Sequence, residues 1–230
     1  MNPDYRYRDR HEAGKILALR LRREDLGSDP VILALPRGGV PVAAAIAREL
    51  RLPLEVFPVR KLGVPGNPEL AMGAIASGGV ELRDAPLIAD ARIPESTVAT
   101  VIQRETRELQ RQERLYRPEG PLAIDGCSAV IVDDGLATGF TMRAAVATLR
   151  RMGCPRIIAA VPVGAKLTCE KLSDEVDLLV CPLRPEEFEA VGRWYRDFPP
   201  TSDAEVQDGL ARTTRHTTLA SRSKRMEAPR

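Results

Sequence analysis

Asp133 and Asp134 stand side by side at the end of an apolar run, Ala129-Val-Ile-Val132, and are followed by Gly135, Leu136, Ala137, Thr138, Gly139, Phe140 and Thr141. Two adjacent carboxylates repel a phosphate but readily accept hydrogen bonds from neutral sugar hydroxyls, directly or through a hydrated cation. The loop behind them has the opposite character. Gly135 and Gly139 allow a tight turn and a close backbone approach, while Thr138 and Thr141 add hydroxyl donors where a helix start exposes unpaired amides and the positive end of its dipole. The stretch therefore suits a sugar phosphate, with the sugar at the carboxylates and the phosphate in the loop. A generic strand-to-helix turn accounts for the glycines and threonines, but not for two carboxylates directly after a buried strand.

Three further segments could share this chemistry. Leu35-Pro36-Arg37-Gly38-Gly39-Val40 is again a strand end, a glycine pair and a helix start, a second candidate anion site. The bland alternative for Gly38 and Gly39 is close packing of a helix on a strand. Arg60-Lys61 precedes a glycine- and proline-punctuated stretch running to Glu69, which reads as a loop whose cations could sit on a phosphate or simply face solvent. Near the C-terminus, Trp194, Tyr195 and Phe198 raise the aromatic density beside Asp197. Trp194 or Tyr195 could stack on a flat base with Asp197 as a polar reader, or the group could be a satellite hydrophobic cluster.

The elements needed to position these residues follow from periodicity. Helices are expected near residues 9–23 (Ala13, Ile16, Leu17 and Leu21 on one face), 40–50, 94–117 (Val98, Ile102, Leu109 and Tyr116 as a thin apolar stripe), 141–152 and 166–175. Strands are expected at 31–36, 54–60, 71–76, 129–133, 156–163 and 177–181, with a Gly/Pro loop at 61–69 and a turn at Gly78-Gly79. Alternating strands and helices predict an α/β fold, an open and mostly parallel twisted sheet flanked by helices. In such a sheet, loops at the carboxyl ends of neighbouring strands share one crevice, so the 37–39 and 133–141 loops could bridge a ligand with two phosphate groups. One domain over 1–200 is expected, with a small aromatic hood at about 184–198, and 201–230 as a disordered tail.

The composition narrows the function classes. Over 230 residues the net charge is +2, which makes no case for a nucleic-acid partner or a membrane surface. The N-terminus is charged and no apolar run reaches the length of a membrane span, so a cytoplasmic location is expected. Cys127, Cys154, Cys169 and Cys181 form no C-x-x-C pair and read as buried thiols. His11 and His216, the only two histidines, make a serine-hydrolase triad or a histidine metal site a poor fit.

The stretch from Asp133 to Thr141 resembles the phosphoribosyl pyrophosphate (PRPP) signature of type I phosphoribosyltransferases, and Tyr7 to Phe198 is similar to bacterial phosphoribosyltransferase-domain proteins whose acceptor is undefined. The resemblance implies Mg²⁺-dependent transfer of ribose 5-phosphate from PRPP to a nitrogenous, nucleobase-like acceptor, with release of pyrophosphate. It implies 5-phosphate binding by residues 135–141, and Asp133 and Asp134 at the sugar, where their field favours an oxocarbenium-like carbon and where they could reach magnesium through water. Pyrophosphate falls to Arg37, Gly38 and Gly39, with a non-proline cis peptide expected at Arg37–Gly38, and to Arg60 and Lys61 on a mobile catalytic loop. Arg37 and Lys61 join the two aspartates as the catalytic set.

Ala137 replaces the acidic residue of hypoxanthine-guanine enzymes, and Gly135 and Phe140 depart from the adenine pattern, so the resemblance names a donor and leaves the acceptor open. A homodimer is compatible with the family and with helix 94–117. A rival reading is a non-catalytic module that senses PRPP or a nucleotide. A phosphohydrolase using Asp133 as nucleophile is disfavoured, because Gly135 stands where a second aspartate would be needed.

Overall fold

The computed structural model describes residues 5–117 and 126–212. Five strands, β1 (Val31–Ala34), β2 (Leu54–Val56), β6 (Ala129–Val132), β7 (Ile157–Ala160) and β8 (Leu178–Val180), form a parallel sheet in the order β2-β1-β6-β7-β8. Its strands are apolar at successive positions because both faces are covered. Leu33, Ile131 and Ala159 are in register and face the cluster that contains Met142, Ala145 and Leu149 of α5 (Phe140–Arg151) and Cys169 and Leu172 of α6 (Lys166–Ser173). Ile32, Val130 and Ile158 face the opposite way, onto Leu17 and Leu21 of α1 (Arg10–Leu21) and Val42, Ala43 and Ile46 of α2 (Gly39–Leu50).

The strand order reverses between β1 and β6. β1 leads outward to β2 on one side, while β6 leads to β7 and β8 on the other. The connections therefore diverge there and open a crevice outside the carboxyl ends of these two strands. The 37–39 and 133–139 segments leave β1 and β6 at that point.

A second, antiparallel sheet sits beside the first, made of β3 (Val59–Val64), β4 (Asn67–Ala76) and β5 (Val80–Arg83). The strand expected at 54–60 is thus two strands in different sheets, divided by Phe57-Pro58. The loop expected at 61–69 is a hairpin with its turn at Pro65-Gly66, where Gly66 has φ 82°. Lys61 lies inside β3, paired with Ala74, and not in a free loop. The glycine pair behaves as expected, joining β4 to β5 with φ 85° at Gly78 and 78° at Gly79. The short helix α3 (Ala85–Asp90) follows. Then α4 (Glu95–Tyr116) lays Val98, Val101 and Leu109 against Leu62, Met72 and Ile75 of the small sheet.

The segments around Tyr7 and Tyr195 interlock. Tyr7 pairs in parallel with Tyr195, its amide donating to the Trp194 carbonyl at 2.9 Å, and Arg196 N–H returns to Tyr7 O at 2.8 Å. The aromatic hood is formed around a 3₁₀ turn at Val191–Trp194. Residues 203–212 are helical, with Val206 fully buried against the α1 and α2 side of the sheet, so the ordered structure extends beyond residue 200. The remainder of the expected tail, 213–230, lies outside the described residues. Among the described residues, no helix is long and apolar enough to cross a membrane.

Candidate active site

β6 ends at Val132, and the next two residues carry the carboxylates into the crevice at the reversal point. Asp133 Oδ1 accepts the Asp134 amide at 2.8 Å. Asp134 turns the other way. Its Oδ2 accepts from Arg10 Nε at 2.9 Å and from Nη2 at 2.8 Å. The same oxygen lies over Gly38, where a Cβ would stand only 2.1 Å from it. At Gly39, a Cβ would meet the Val132 carbonyl oxygen at 2.6 Å and Asp133 Oδ1 at 3.3 Å. The two glycines therefore do pack closely, and what they pack on is the carboxylate pair. Neither aspartate is sealed from the crevice: both are partly exposed and abut the Gly38-Gly39 turn.

Burial acts on the pair as expected from desolvation. Asp133 is pushed well above the ordinary carboxylate range, first by removal from water and then by the Asp134 charge. Asp134 is also raised by burial, with the Arg10 guanidinium pulling against the shift.

The 37–39 turn has a non-proline cis peptide, at Pro36–Arg37, one bond earlier than expected. Gly39 N–H closes on Leu35 O at 3.0 Å and Val40 N–H on Arg37 O at 3.1 Å, whereas the amides of Arg37 and Gly38 donate to no backbone carbonyl among the described residues. Those amides can serve an anion. The Arg37 guanidinium reaches outward, 48 % exposed, with Asp203 Oδ1 at 3.7 Å.

The 135–141 loop divides between structural and available groups. Leu136 is buried and its amide donates to Val163 O at 2.8 Å, so this residue anchors the loop and offers a ligand no backbone N–H. Gly135 lies beneath Val191 of the hood, where a Cβ would be 2.5 Å from Val191 Cγ1. Ala137 and Thr138 are exposed, and Gly139, at φ 80°, starts α5 with no side-chain cap. The amides of Ala137 to Met142 donate to no backbone carbonyl among the described residues, which leaves the first turn of α5 as a bundle of unfilled donors. Phe140 is partly buried and packs against the core, so its bulk is directed away from the loop.

Other expected positions fall elsewhere. Arg60 is turned onto α4, its Nε and Nη2 donating to Glu105 Oε2 at 3.0 and 2.8 Å, so the guanidinium braces the small sheet. The side chain of Glu69 lies outside the described ones. Tyr195 is 4 % exposed, stacked on Phe198, and its hydroxyl donates to the Asp134 carbonyl at 2.6 Å. A ring enclosed in this way cannot offer a face to a base, so Tyr195 is a buttress. Trp194 is half-buried against the same cluster, and Asp197 is exposed with its amide on Arg8 O at 2.9 Å. The satellite-cluster reading thus describes Tyr195, while Trp194 and Asp197 keep accessible edges.

Two participants escape a sequence reading. Arg10 contacts Asp134 across a separation of 124 residues. Its one sequence signal is a cation in the first turn of a helix, where the dipole disfavours it. Asp203 is the other, bonded to Tyr116 Oη and, at 3.0 Å, to Arg111 Nη1. Among the described residues no group of three or more acidic, histidine or cysteine side chains could hold a metal.

Comparison with known proteins identifies the family. The model of the phosphoribosyl transferase domain family matches residues 8–191. A Mycobacterium tuberculosis protein named "Putative phosphoribosyl transferase" is 42% identical over 208 residues, which is 90% of this chain and 47% of the relative. The same values hold for its counterpart in a second strain. The chain therefore spans about half the length of these curated relatives. The crystal structure of TT1426 from Thermus thermophilus is 38% identical, with a TM-score of 0.74, over 90% of this chain and 98% of that one.

Proposed function

Because the chain belongs to the phosphoribosyl transferase domain family, we propose that it moves ribose 5-phosphate from PRPP to a nitrogen of a nucleobase-like acceptor, releasing pyrophosphate. The observation that carries this reading is the meeting of Asp133 and Asp134 with the Gly38-Gly39 turn at the strand-order reversal, a Cβ at Gly38 being excluded by Asp134 itself. A single ligand bridging the two loops meets carboxylates at its middle and amides at its ends. The 5-phosphate takes the unfilled amides of the α5 first turn and the hydroxyls of Thr138 and Thr141. The diol donates to Asp133. Pyrophosphate takes the Arg37 and Gly38 amides, with the Arg37 guanidinium swinging from Asp203.

As the bond to the leaving group breaks, positive charge builds on the sugar carbon beside Asp133, whose negative field in a site of low dielectric favours it. No protein nucleophile is needed. Lys61, held in β3, supplies positive charge toward the leaving group.

Magnesium fits the residues present, provided the substrate supplies most of its oxygens. Mg²⁺ is commonly held by one or two carboxylates plus phosphates and water, and Asp133 makes no hydrogen bond except to Asp134 among the described residues. When bound, the ion would neutralise developing charge on pyrophosphate. A cytoplasmic homodimer acting on small-molecule substrates is the setting we propose for this activity, with Trp194 and Asp197 at the acceptor side.

The test is pyrophosphate release from PRPP and Mg²⁺ across a panel of purines and pyrimidines. Release with one acceptor class supports the transferase. Tight PRPP binding with silence across the panel supports instead the sensing module.

A further inference from the structure

Arg10 is 9 % exposed and spends its whole guanidinium on one spot. Nε and Nη2 hold Asp134 Oδ2, Nη1 donates to the Pro199 carbonyl at 2.7 Å, and the cation lies 3.7 Å above the Phe198 ring. Only a planar fork can donate in several directions and stack at the same time; a lysine ammonium cannot. The residue joins the start of α1, the end of β6 and the segment after the hood. It also opposes the α1 dipole, so its position is not explained by helix stability. Asp134 is further fixed through its carbonyl by Tyr195 Oη. Asp133 has no such partner from another element among the described residues.

We propose that Arg10 is a positioning residue that divides the labour of the adjacent carboxylates, holding Asp134 as a fixed strut against the Gly38 turn and leaving Asp133 as the one that meets the sugar. This rests on the transferase reading for its catalytic meaning but not for its geometry. The charged and titratable groups facing Asp134 are Asp133 on its own segment, Arg10 from α1 and Tyr195 from the C-terminal segment. Removing Arg10 leaves two neighbouring carboxylates without a counter-charge, and a ligand must then organise them at its own expense.

The experiment has two arms on the full chain. In the free protein, amide hydrogen exchange at Gly39 and Val40, whose bonds close the turn that Asp134 supports, is followed by NMR in wild type, Arg10→Gln, Arg10→Lys and the charge-balanced Arg10→Gln/Asp134→Asn. The expected result is that Arg10→Gln exchanges at least tenfold faster there, that Arg10→Lys restores protection only in part, and that the double variant, which should fold even where the single one does not, also exchanges faster than wild type. Wild-type exchange in Arg10→Gln, or in the double variant if the single variant does not fold, overturns the proposal.

The second arm measures PRPP·Mg²⁺ binding by calorimetry. Arg10→Gln should bind at least tenfold more weakly, and Asp133→Asn should lose more than Asp134→Asn. Equal losses in the two asparagine variants would also overturn the division of roles. Variants that loosen the turn as expected while the wild type binds no PRPP would sink the transferase reading and leave the positioning role standing.

Discussion

The hydroxyl of Tyr195 donates to the carbonyl oxygen of Asp134 at 2.6 Å, so a ring expected to meet a ligand instead fastens the C-terminal segment to the backbone of the carboxylate pair. Both groups are largely removed from water, and burial with the nearby Asp134 charge holds the phenol protonated far above neutrality, as the donor role requires. The contact makes the hood part of the site's scaffold.

Tyr195→Phe keeps the stacking on Phe198 and orphans the Asp134 carbonyl. Equilibrium urea unfolding should show a loss of about 1–3 kcal/mol. Tyr195→Ala also opens a cavity and should lose about 3–5 kcal/mol. A Tyr195→Phe variant as stable as wild type would mean that the bond contributes nothing.

Gly38→Ala places a methyl 2.1 Å from Asp134 Oδ2, so that carboxylate or the turn must move. PRPP binding should fall by roughly a hundredfold, in line with the effect of small displacements in a preorganised site. Gly66→Ala is the control. Its Cβ meets nothing within 4 Å, and only its φ of 82° is strained, so it should cost about 1 kcal/mol in stability and leave binding unchanged. Comparable binding losses in both variants would contradict the placement of Gly38.

Asp133 sets a pH dependence whose sign is fixed by its environment. Its folded-state value lies above the unfolded one, so the folded protein binds the proton more tightly. Its contribution therefore favours folding below the unfolded carboxylate range and is lost as pH rises through the raised folded value. Asp133→Asn should be more stable than wild type at neutral pH, with the gap closing as the medium is acidified, while turnover falls by roughly 10²-fold or more. Parallel melting curves for the two proteins from acid to neutral pH would contradict the burial of this charge.

Glu105 is 7 % exposed and receives both Arg60 nitrogens as well as Arg104 Nε at 3.0 Å. Glu105→Gln weakens the brace between α4 and β3, with an expected loss of about 1–3 kcal/mol. Hydrogen exchange should quicken in β3 and β4 and stay slow in β1 and β6. Uniform acceleration would show that the two sheets open as one unit.

The parallel sheet is legible in the sequence because its strands are short apolar runs bounded by turn residues, and because an arrangement buried on both faces leaves no alternation to misread. Asp133, Asp134 and the glycine turn at 38–39 are legible because each lies in one contiguous stretch. What escapes is what only the tertiary structure can make. The Arg10–Asp134 pair joins residues from opposite halves of the chain. The division of 54–60 between two sheets depends on where Phe57 finds burial. Arg60 reads as a ligand because nothing local marks Glu105, 45 residues on, as its partner. One local signal does point beyond residue 200. Ser202-Asp-Ala-Glu205 is a capping box, with Ser202 Oγ accepting Glu205 N–H at 3.2 Å and Glu205 Oε2 accepting Ser202 N–H at 2.7 Å, and it announces the helix at 203–212.

The pairing of Tyr7 with Tyr195 has a consequence for synthesis. Asp133, Asp134 and the Gly38-Gly39 turn leave the ribosome before Tyr195 and Phe198, so a nascent chain that ends between them holds the carboxylate pair yet lacks the Tyr195 bolt and the Phe198 platform beneath Arg10. Competence for substrate should consequently arrive in one step, once the segment through Pro199 has folded back onto Tyr7 and Arg10.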